Sequence, residues 1–240
     1  MTEITSQWYP YLNVQESYIN MEQAPQIPRM ICDYLIDAPD PKTGYKPVDD
    51  NSRSRVRFWK YLYYDEAKPL TKKLPTAKEK LSVVFDPTKP ETPPTDKGYR
   101  LIPQYWIKQS QTEAQTRVFV FTGRTVPDDE FTATMAVHFR IMTHYTYEAN
   151  TKSDEYNRTL ALEQALIEAF NGVNMTGIGT FMYSRRCHPD CGSKILTDGN
   201  TNVGREVVFG LQLATTKNNT LTRTDNMPSA NSSGSVKLGW

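Results

Sequence analysis

The residues best suited to bind a metal form one short motif, Cys187-His188-Pro189-Asp190-Cys191. Two thiolates and one imidazole supply three of the four ligands of a tetrahedral zinc site. The fourth ligand would have to come from elsewhere, for example Asp190 or Asp198, because the chain has three cysteines in all and no second cysteine pair. The motif therefore favours a turn with two free thiols. A zinc site or a disulfide within the motif is the alternative.

A second group of ionisable residues, His138, Arg140 and His144, shares one face of a predicted strand. Acid–base catalysis or metal binding by both histidines would require them to reach one atom. Six residues along a strand span about 20 Å, which is too far for such a site. The pattern instead favours a polar strand face at a subunit contact or along a lumen, with His138 and Arg140 as candidate contact residues.

Basic and aromatic residues are interspersed in segment 53–64, which reads RSRVRFWKYLYY. Such a mixture can hold phosphates with its cations and stack bases on its rings. The whole chain, however, has 28 basic and 27 acidic residues, so it lacks the strong positive charge typical of nucleic-acid-binding domains. We interpret the segment as a helix with a solvated charged face and an aromatic core face. Trp59 is a further candidate contact residue, and a ring of these arginines lining a DNA channel is the alternative.

Signatures of enzymes and membrane proteins are absent from the sequence. No Gly-x-Ser-x-Gly, His-Glu-x-x-His, P-loop or dinucleotide-binding glycine pattern occurs, so we expect neither enzyme activity nor a cofactor. The apolar runs are shorter than the roughly 20 residues that cross a bilayer. Few cysteines and no secretory signal favour a protein made in the cytosol.

Apolar periodicity and capping signals predict helices over 27–37, 54–64, 76–85 and 155–170. Strands are expected over 99–108, 117–122, 131–144, 178–185 and 205–215. Pro103 should place the first strand at a sheet edge or bulge. We expect a long polar connection over 186–204, with a hairpin tip at Asp198-Gly199-Asn200.

The clearest alternation lies in the strand over 131–144. One face carries Phe131, Ala133, Met135, Val137, Phe139 and Ile141, and the other carries Thr132, Thr134, His138, Arg140 and His144. An alternation of this length indicates an antiparallel sheet with one face covered. The other face should be wet or line an assembly surface.

These elements predict an α+β fold, in which an antiparallel β-sheet carries a crossing helix (155–170) and an N-terminal helix (27–37) on one face. A single domain should span 27–215, with a loop-rich insertion over 40–116. Residues 1–26 are expected to form an N-terminal arm with Trp8 and Tyr9 as contact residues. The Ser/Thr/Asn-rich tail over 216–240 is expected to be flexible or ordered by a partner.

This order of elements resembles the small module of tailed-bacteriophage neck proteins, the family of tail terminators and head-to-tail joining proteins. That module has an amphipathic helix, two antiparallel strands, a crossing helix and two more strands. The step from Ala169-Phe170-Asn171-Gly172 into Gly177-Ile178-Gly179 is similar to the helix-to-strand step of that family. The insertion 40–116 and the tail after residue 216 depart from the family pattern.

The resemblance implies a structural virion protein that forms a hexameric ring at the phage neck or tail end and assembles in the host cytoplasm. Its partners would be copies of itself, the tail tube protein and a neighbouring neck or connector protein. Passive contact with DNA in the channel would be expected, and contact with a membrane would not. Another virion component, such as a stopper, adaptor, baseplate or decoration protein, is the first alternative. A zinc-binding module at the cysteine motif is the second.

Overall fold

The computed structural model describes residues 21–36, 49–86, 97–105, 114–128, 132–148, 157–175, 179–198 and 201–213. The helices are α1 (Ile27–Ile36), α2 (Ser54–Tyr63), α3 (Ala77–Ser82), α4 (Tyr145–Glu148) and α5 (Arg158–Phe170), with 3-10 helices at Met21–Gln26 and Pro69–Thr71. The strands are β1 (Leu101–Ile102), β2 (Arg117–Pro127), β3 (Ala133–His144), β4 (Asn174–Met175), β5 (Gly179–Met182), β6 (Gly192–Asp198) and β7 (Asn202–Leu213). Predictions for Trp8, Tyr9 and the tail concern residues outside these ranges.

Within these ranges, seven strands form one sheet. Six of them follow the order β1-β2-β3-β7-β5-β4, and the seventh, β6, pairs with β7 on the same side as β5, next to it along the strand. The predicted α+β fold is confirmed. The sheet is nevertheless mixed, because β1 runs parallel to β2 while the other pairs are antiparallel. Fourteen residues, 103–116, separate β1 from β2. A connection of that length permits a parallel crossover, whereas a tight hairpin would force an antiparallel pair.

The predicted polar connection 186–204 was wrong in part, because it contains strand β6. Pairs from Gly192↔Val208 to Asp198↔Asn202 join this strand to β7 as a hairpin. Those pairs place the hairpin tip between residues 198 and 202, as the turn signature predicted. The strand reads GSKILTD and has only two large apolar residues, so it gives no alternating pattern.

Two helix boundaries also differ from prediction. Helix α3 begins at the predicted capping box of Thr76 and Glu79, but it ends at Ser82 rather than residue 85. The chain leaves the helix because Val84 forms a parallel bridge with Leu101 at the edge of the sheet. Helix α5 begins after Asn157, whose side chain accepts a hydrogen bond from the Leu160 amide.

One face of the sheet packs against α1 and α5, and α2 packs on α5; we call this face of the sheet the helix face. The ring of Phe170 on α5 lies at its centre, with centroid distances of 5.2 Å to Tyr34, 5.0 Å to Phe139, 5.2 Å to Phe181 and 6.1 Å to Phe209. These residues belong to one continuous core. The prediction that the helices at 27–37 and 155–170 cover the same apolar face is therefore confirmed.

Trp59 is part of this core, so its prediction as a contact residue was wrong. The side chain is fully buried, and its indole N–H donates to the Leu35 carbonyl at 2.6 Å. The aromatic side of α2 turns inward because α2 packs directly on α5. A tryptophan with both its ring and its N–H satisfied inside the protein stabilises the fold instead of binding a partner.

The cations of α2 find partners within the chain. Arg55 donates to the Tyr34 carbonyl at 3.0 Å, and Arg57 pairs with Glu168. Lys60 departs from the predicted solvated face, because it is buried and pairs with Asp49 at 2.5 Å. These intramolecular contacts favour a structural role for the helix over a phosphate-binding one. Among the described residues, none of the helices has the length and apolar character needed to cross a bilayer.

Candidate interaction surface on the sheet

The face opposite the helices carries a row of interacting side chains across four strands. Phe119 on β2 pairs with Arg140 on β3, which pairs with Glu206 on β7, which pairs with Lys194 on β6. Residues paired across neighbouring strands project from the same face, so this register brings the charged groups together. The sequence predicted Arg140 and the adjacent His138 but not Glu206 or Lys194.

Glu206 is the centre of a charged cluster that we define as His138, Arg140, Lys194 and Glu206. Its Oε2 accepts from Arg140 Nε at 3.0 Å and from Nη2 at 2.9 Å. Its Oε1 lies 3.2 Å from His138 Nδ1 and 2.9 Å from Lys194 Nζ. The Glu206 side chain is only 3% exposed, whereas that of Lys194 is 63% exposed. The cluster therefore has a buried anion and a cation that reaches solvent.

The contacts with His138, and then those with Lys194 and Arg140, outweigh burial and hold the pKa of Glu206 well below its usual range. A carboxylate in that state stays ionised throughout the physiological range. General acid–base catalysis works best with a group whose pKa lies near the operating pH. Glu206 is therefore suited to fixing the positions of cations and poorly suited to proton transfer.

Aromatic rings hold the outer part of the charged cluster. Phe121 stacks on His138 with ring centroids 4.9 Å apart and planes 7° apart. The Arg140 guanidinium lies 4.6 Å from the ring centroid of Tyr105 and 5.2 Å from that of Phe121, both within cation–π range. Because Tyr105 is 60% exposed, the charged cluster and the Tyr105 ring beside it together present an ammonium group and an aromatic ring to solvent.

Gly123 makes room for His138. The β2–β3 register shifts between Thr122 and Thr125, and Gly123 lies in that irregularity. A Cβ at Gly123 would be 2.3 Å from His138 Nε2, so any larger residue would displace the imidazole. Sequence reasoning missed this requirement, since a glycine between two strand halves carries no signal of what packs above it.

His144 does not join the charged cluster. Its ring contacts Tyr145 and Tyr147 at the end of β3, with centroid distances of 4.7 Å and 6.2 Å. The face of β3 that carries His138 and Arg140 is also less exposed to solvent than predicted near the start of the strand, because Thr134 and Ala136 are buried. The structure thus gathers His138 and Arg140 at one place and leaves His144 at another.

The loop that holds the cysteine motif contributes to covering that start of β3. His188 and Cys191 are buried and Cys187 is half-buried, and both thiols are free. The His188 amide donates to the Ser184 carbonyl, and the Cys191 amide donates to the His188 carbonyl, which forms tight turns. Burial raises the pKa of the Cys187 thiol. Within the described ranges, no three His, Cys, Asp or Glu side chains are arranged to hold a metal ion.

Gly210→Val is expected to lift this loop from the sheet. A Cβ at Gly210 would be 2.8 Å from Cys187 Sγ and 3.0 Å from His188 Cβ, so the larger side chain overpacks the contact. We expect a loss of about 1–3 kcal/mol in the free energy of unfolding, measured with urea. Cys187 should also react faster with a thiol reagent. The control is Gln212→Val at an exposed position on the same strand, for which a change within about 0.5 kcal/mol is expected. Equal effects of the two variants would contradict the predicted contact.

Comparison with known protein families gives a match. A family model described as YomW matches residues 56–195, which extend from α2 into β6 and include His138, Arg140 and Lys194. No curated protein and no solved structure matches the chain.

Proposed function

This chain belongs to the YomW family, a family derived from SPbeta-like prophages, and we propose that it is a non-enzymatic structural protein of the phage particle. The specific role that we propose is a ring at the neck or at the end of the tail, similar to a tail terminator. In this role it joins the tail tube to the proteins that complete the head. It assembles in the host cytoplasm and remains in the virion.

The observation that carries this proposal is the asymmetry of the sheet. Helices close one face, whereas the opposite face presents the charged cluster with Tyr105 and Lys194 reaching solvent. Arg140 is held by both Glu206 and Tyr105, so little side-chain freedom remains to be lost when a partner binds. A preorganised surface of aromatic and arginine side chains is typical of the centres of protein–protein interfaces.

The ionised state of Glu206 supports the same proposal. Because its pKa is depressed, this carboxylate, which is the one in the cluster, stays charged and paired instead of exchanging protons near neutral pH. The proposed partners are copies of this chain in a hexameric ring, the tail tube protein and an adjoining connector protein. DNA contacts the ring only as it passes through the channel.

Negative-stain microscopy and light scattering of the full-length chain, alone and with the tail tube protein of the same phage, test the proposal. We expect closed rings that bind to tube ends. A chain that stays monomeric at every concentration and does not bind tubes would overturn it. Rings that bind a connector and not the tube would contradict the terminator role and indicate a stopper or adaptor.

Two exposed tyrosines provide a matched pair of variants for that experiment. Tyr105→Ala removes the ring that covers Arg140 in the charged cluster, and we expect it to weaken ring assembly. Tyr145→Ala removes a ring of similar exposure, 53%, that lies outside the cluster, and assembly should persist. Equal behaviour of the two variants would show that the cluster is not the contact surface.

A further inference from the structure

Strand β6 has an unusual degree of exposure for a strand in this sheet. Its one partner strand is β7, and within the part of the chain that the structure describes no strand pairs with its other side. Three consecutive residues, Ser193, Lys194 and Ile195, are exposed, so both faces of the strand reach solvent as well as its edge. An unpaired edge presents a row of backbone donors and acceptors that another chain can pair with.

The two faces of β6 differ in chemistry. Ile195 lies on the helix face, where its partner residue Arg205 pairs with Glu163 of α5, and it is 67% exposed. Lys194 lies on the opposite face, where Arg140 and Lys194 together exceed the single charge of Glu206 by one positive charge. A strand that adds to this edge should therefore be apolar on one face and should carry acidic or polar groups on the other.

Two terminal segments of the chain lie outside the described ranges, 1–20 and 214–240. The C-terminal segment is basic, because it has three basic residues, Lys217, Arg223 and Lys237, and one acidic residue, Asp225. The N-terminal one contains two glutamates and no lysine or arginine. Of these two terminal segments, the acidic N-terminal one complements the excess positive charge of the charged cluster.

The first residues of that segment have the required alternation. Residues 2–8 read TEITSQW, so Ile4 and Trp8 fall on one face of an extended strand and Glu3 falls on the other. Pro10 follows, and proline ends a strand that must donate hydrogen bonds. The stretch is seven residues long, and β6 is also seven residues long.

We propose that residues 2–8 of one copy add as a strand to the free edge of β6 in a neighbouring copy. This inference rests on the proposed ring, because each subunit then donates one strand and accepts another. Such a contact is head-to-tail, which is the type of contact that closes into a ring. Ile4 and Trp8 cover Ile195, while Glu3 lies on the side of Lys194.

The length of the arm permits this exchange. Twelve residues, 9–20, remain between the added strand and the helix that begins at Met21, and they span up to about 40 Å when extended. The α1 helix that follows packs against β2, which is separated from β6 by β3 and β7.

Cross-linking between two full-length variants tests the exchange. One variant carries Ser6→Cys in the arm, and the other carries Ser193→Cys on β6. A short bismaleimide reagent should join them into a dimer of the two variants. The control replaces Ser193→Cys by Leu81→Cys, an exposed position on α3 beside the opposite edge of the sheet, and no dimer should form. The wild-type mixture gives the background from the native cysteines.

Further variants separate the outcomes. Adding Ile195→Asp to the Ser193→Cys chain should abolish its cross-linked dimer with the Ser6→Cys chain. Adding Leu81→Asp to the Ser193→Cys chain instead should preserve that dimer. A doubly substituted chain, diluted into excess wild type, should not cross-link within itself. A cross-link within the doubly substituted chain would overturn the inference. So would a dimer between Ser193→Cys and a chain that carries Ser233→Cys in the tail in place of Ser6→Cys. If closed rings form but Ser6→Cys does not cross-link to Ser193→Cys, this inference is overturned and the proposed function stands. If the cross-link forms but closed rings do not, the proposed ring is overturned and the strand exchange stands.

Discussion

Replacing Glu206 by glutamine is expected to lower the free energy of unfolding by about 2–3 kcal/mol. The substitution leaves Arg140 and Lys194 facing each other without the carboxylate that both contact. Breaking a fully buried ion pair costs about 3–5 kcal/mol, and the exposure of Lys194 reduces that figure through solvent screening. Urea unfolding monitored by circular dichroism measures the difference.

The effect of this substitution should depend on pH in a defined direction. The folded-state pKa of Glu206 is depressed below the unfolded value of about 4.3. The stabilisation is therefore fully present above that unfolded pKa and is lost as the pH falls through the folded-state pKa. The difference between wild type and Glu206→Gln should be retained above about pH 5 and should narrow in more acidic solution.

Glu168→Gln is the matched control for Glu206→Gln. Glu168 is also a carboxylate paired with an arginine, Arg57, but its side chain is 51% exposed. Surface pairs of this kind contribute about 0–1 kcal/mol, so this variant should unfold almost like wild type. If the Glu206→Gln difference did not narrow in acid, the loss would come from altered packing and not from ionisation.

Phe170→Ala is expected to have the largest effect on stability, a loss of about 3–5 kcal/mol. The Phe170 ring is fully buried and joins α5 to α1 and to the helix face through four aromatic contacts. Its removal leaves a cavity whose walls belong to four different elements, which cannot all close around it. Equilibrium unfolding in urea, together with the near-ultraviolet circular dichroism of the aromatic side chains, measures the loss.

A graded substitution provides the control for Phe170→Ala. Phe170→Leu keeps most of the buried volume and should cost clearly less than the alanine variant, because the cavity term is smaller. Tyr145→Ala removes an aromatic side chain that is largely exposed, and a change within about 0.5 kcal/mol is expected. An alanine variant no less stable than the leucine variant would show that Phe170 does not hold α5 on the sheet.

Local pattern was enough to predict the elements that carry the core. Helix α5 repeats apolar residues at helical spacing, and β3 has an apolar residue at every second position from Ala133 to Ile141, so both were predicted close to their observed bounds. Each of these elements packs its apolar face against the core, and that packing requires apolar residues at a regular spacing in the sequence. The candidate contact residues His138 and Arg140 followed from the same alternation.

Elements whose surroundings come from distant parts of the chain were predicted less well. Strand β6 exposes both faces and so has no period, although its pairing with β7 fixes its conformation. Trp59 was predicted to be a contact residue, but the packing of α2 on α5 buries it. The direction of β1 was not readable either, because a two-residue strand carries no information about the strand it joins.

The sequence by itself determined the α+β class, the helix that crosses the sheet and the strand face on which His138 and Arg140 lie. Only the tertiary structure decided that Glu206 and Lys194 complete the charged cluster and that the edge of β6 remains unpaired in the part of the chain described. The spacing of apolar residues within one helix or strand indicates which face of that element is buried. Register between strands joins residues as far apart as 140 and 206, and it depends on how the whole sheet assembles.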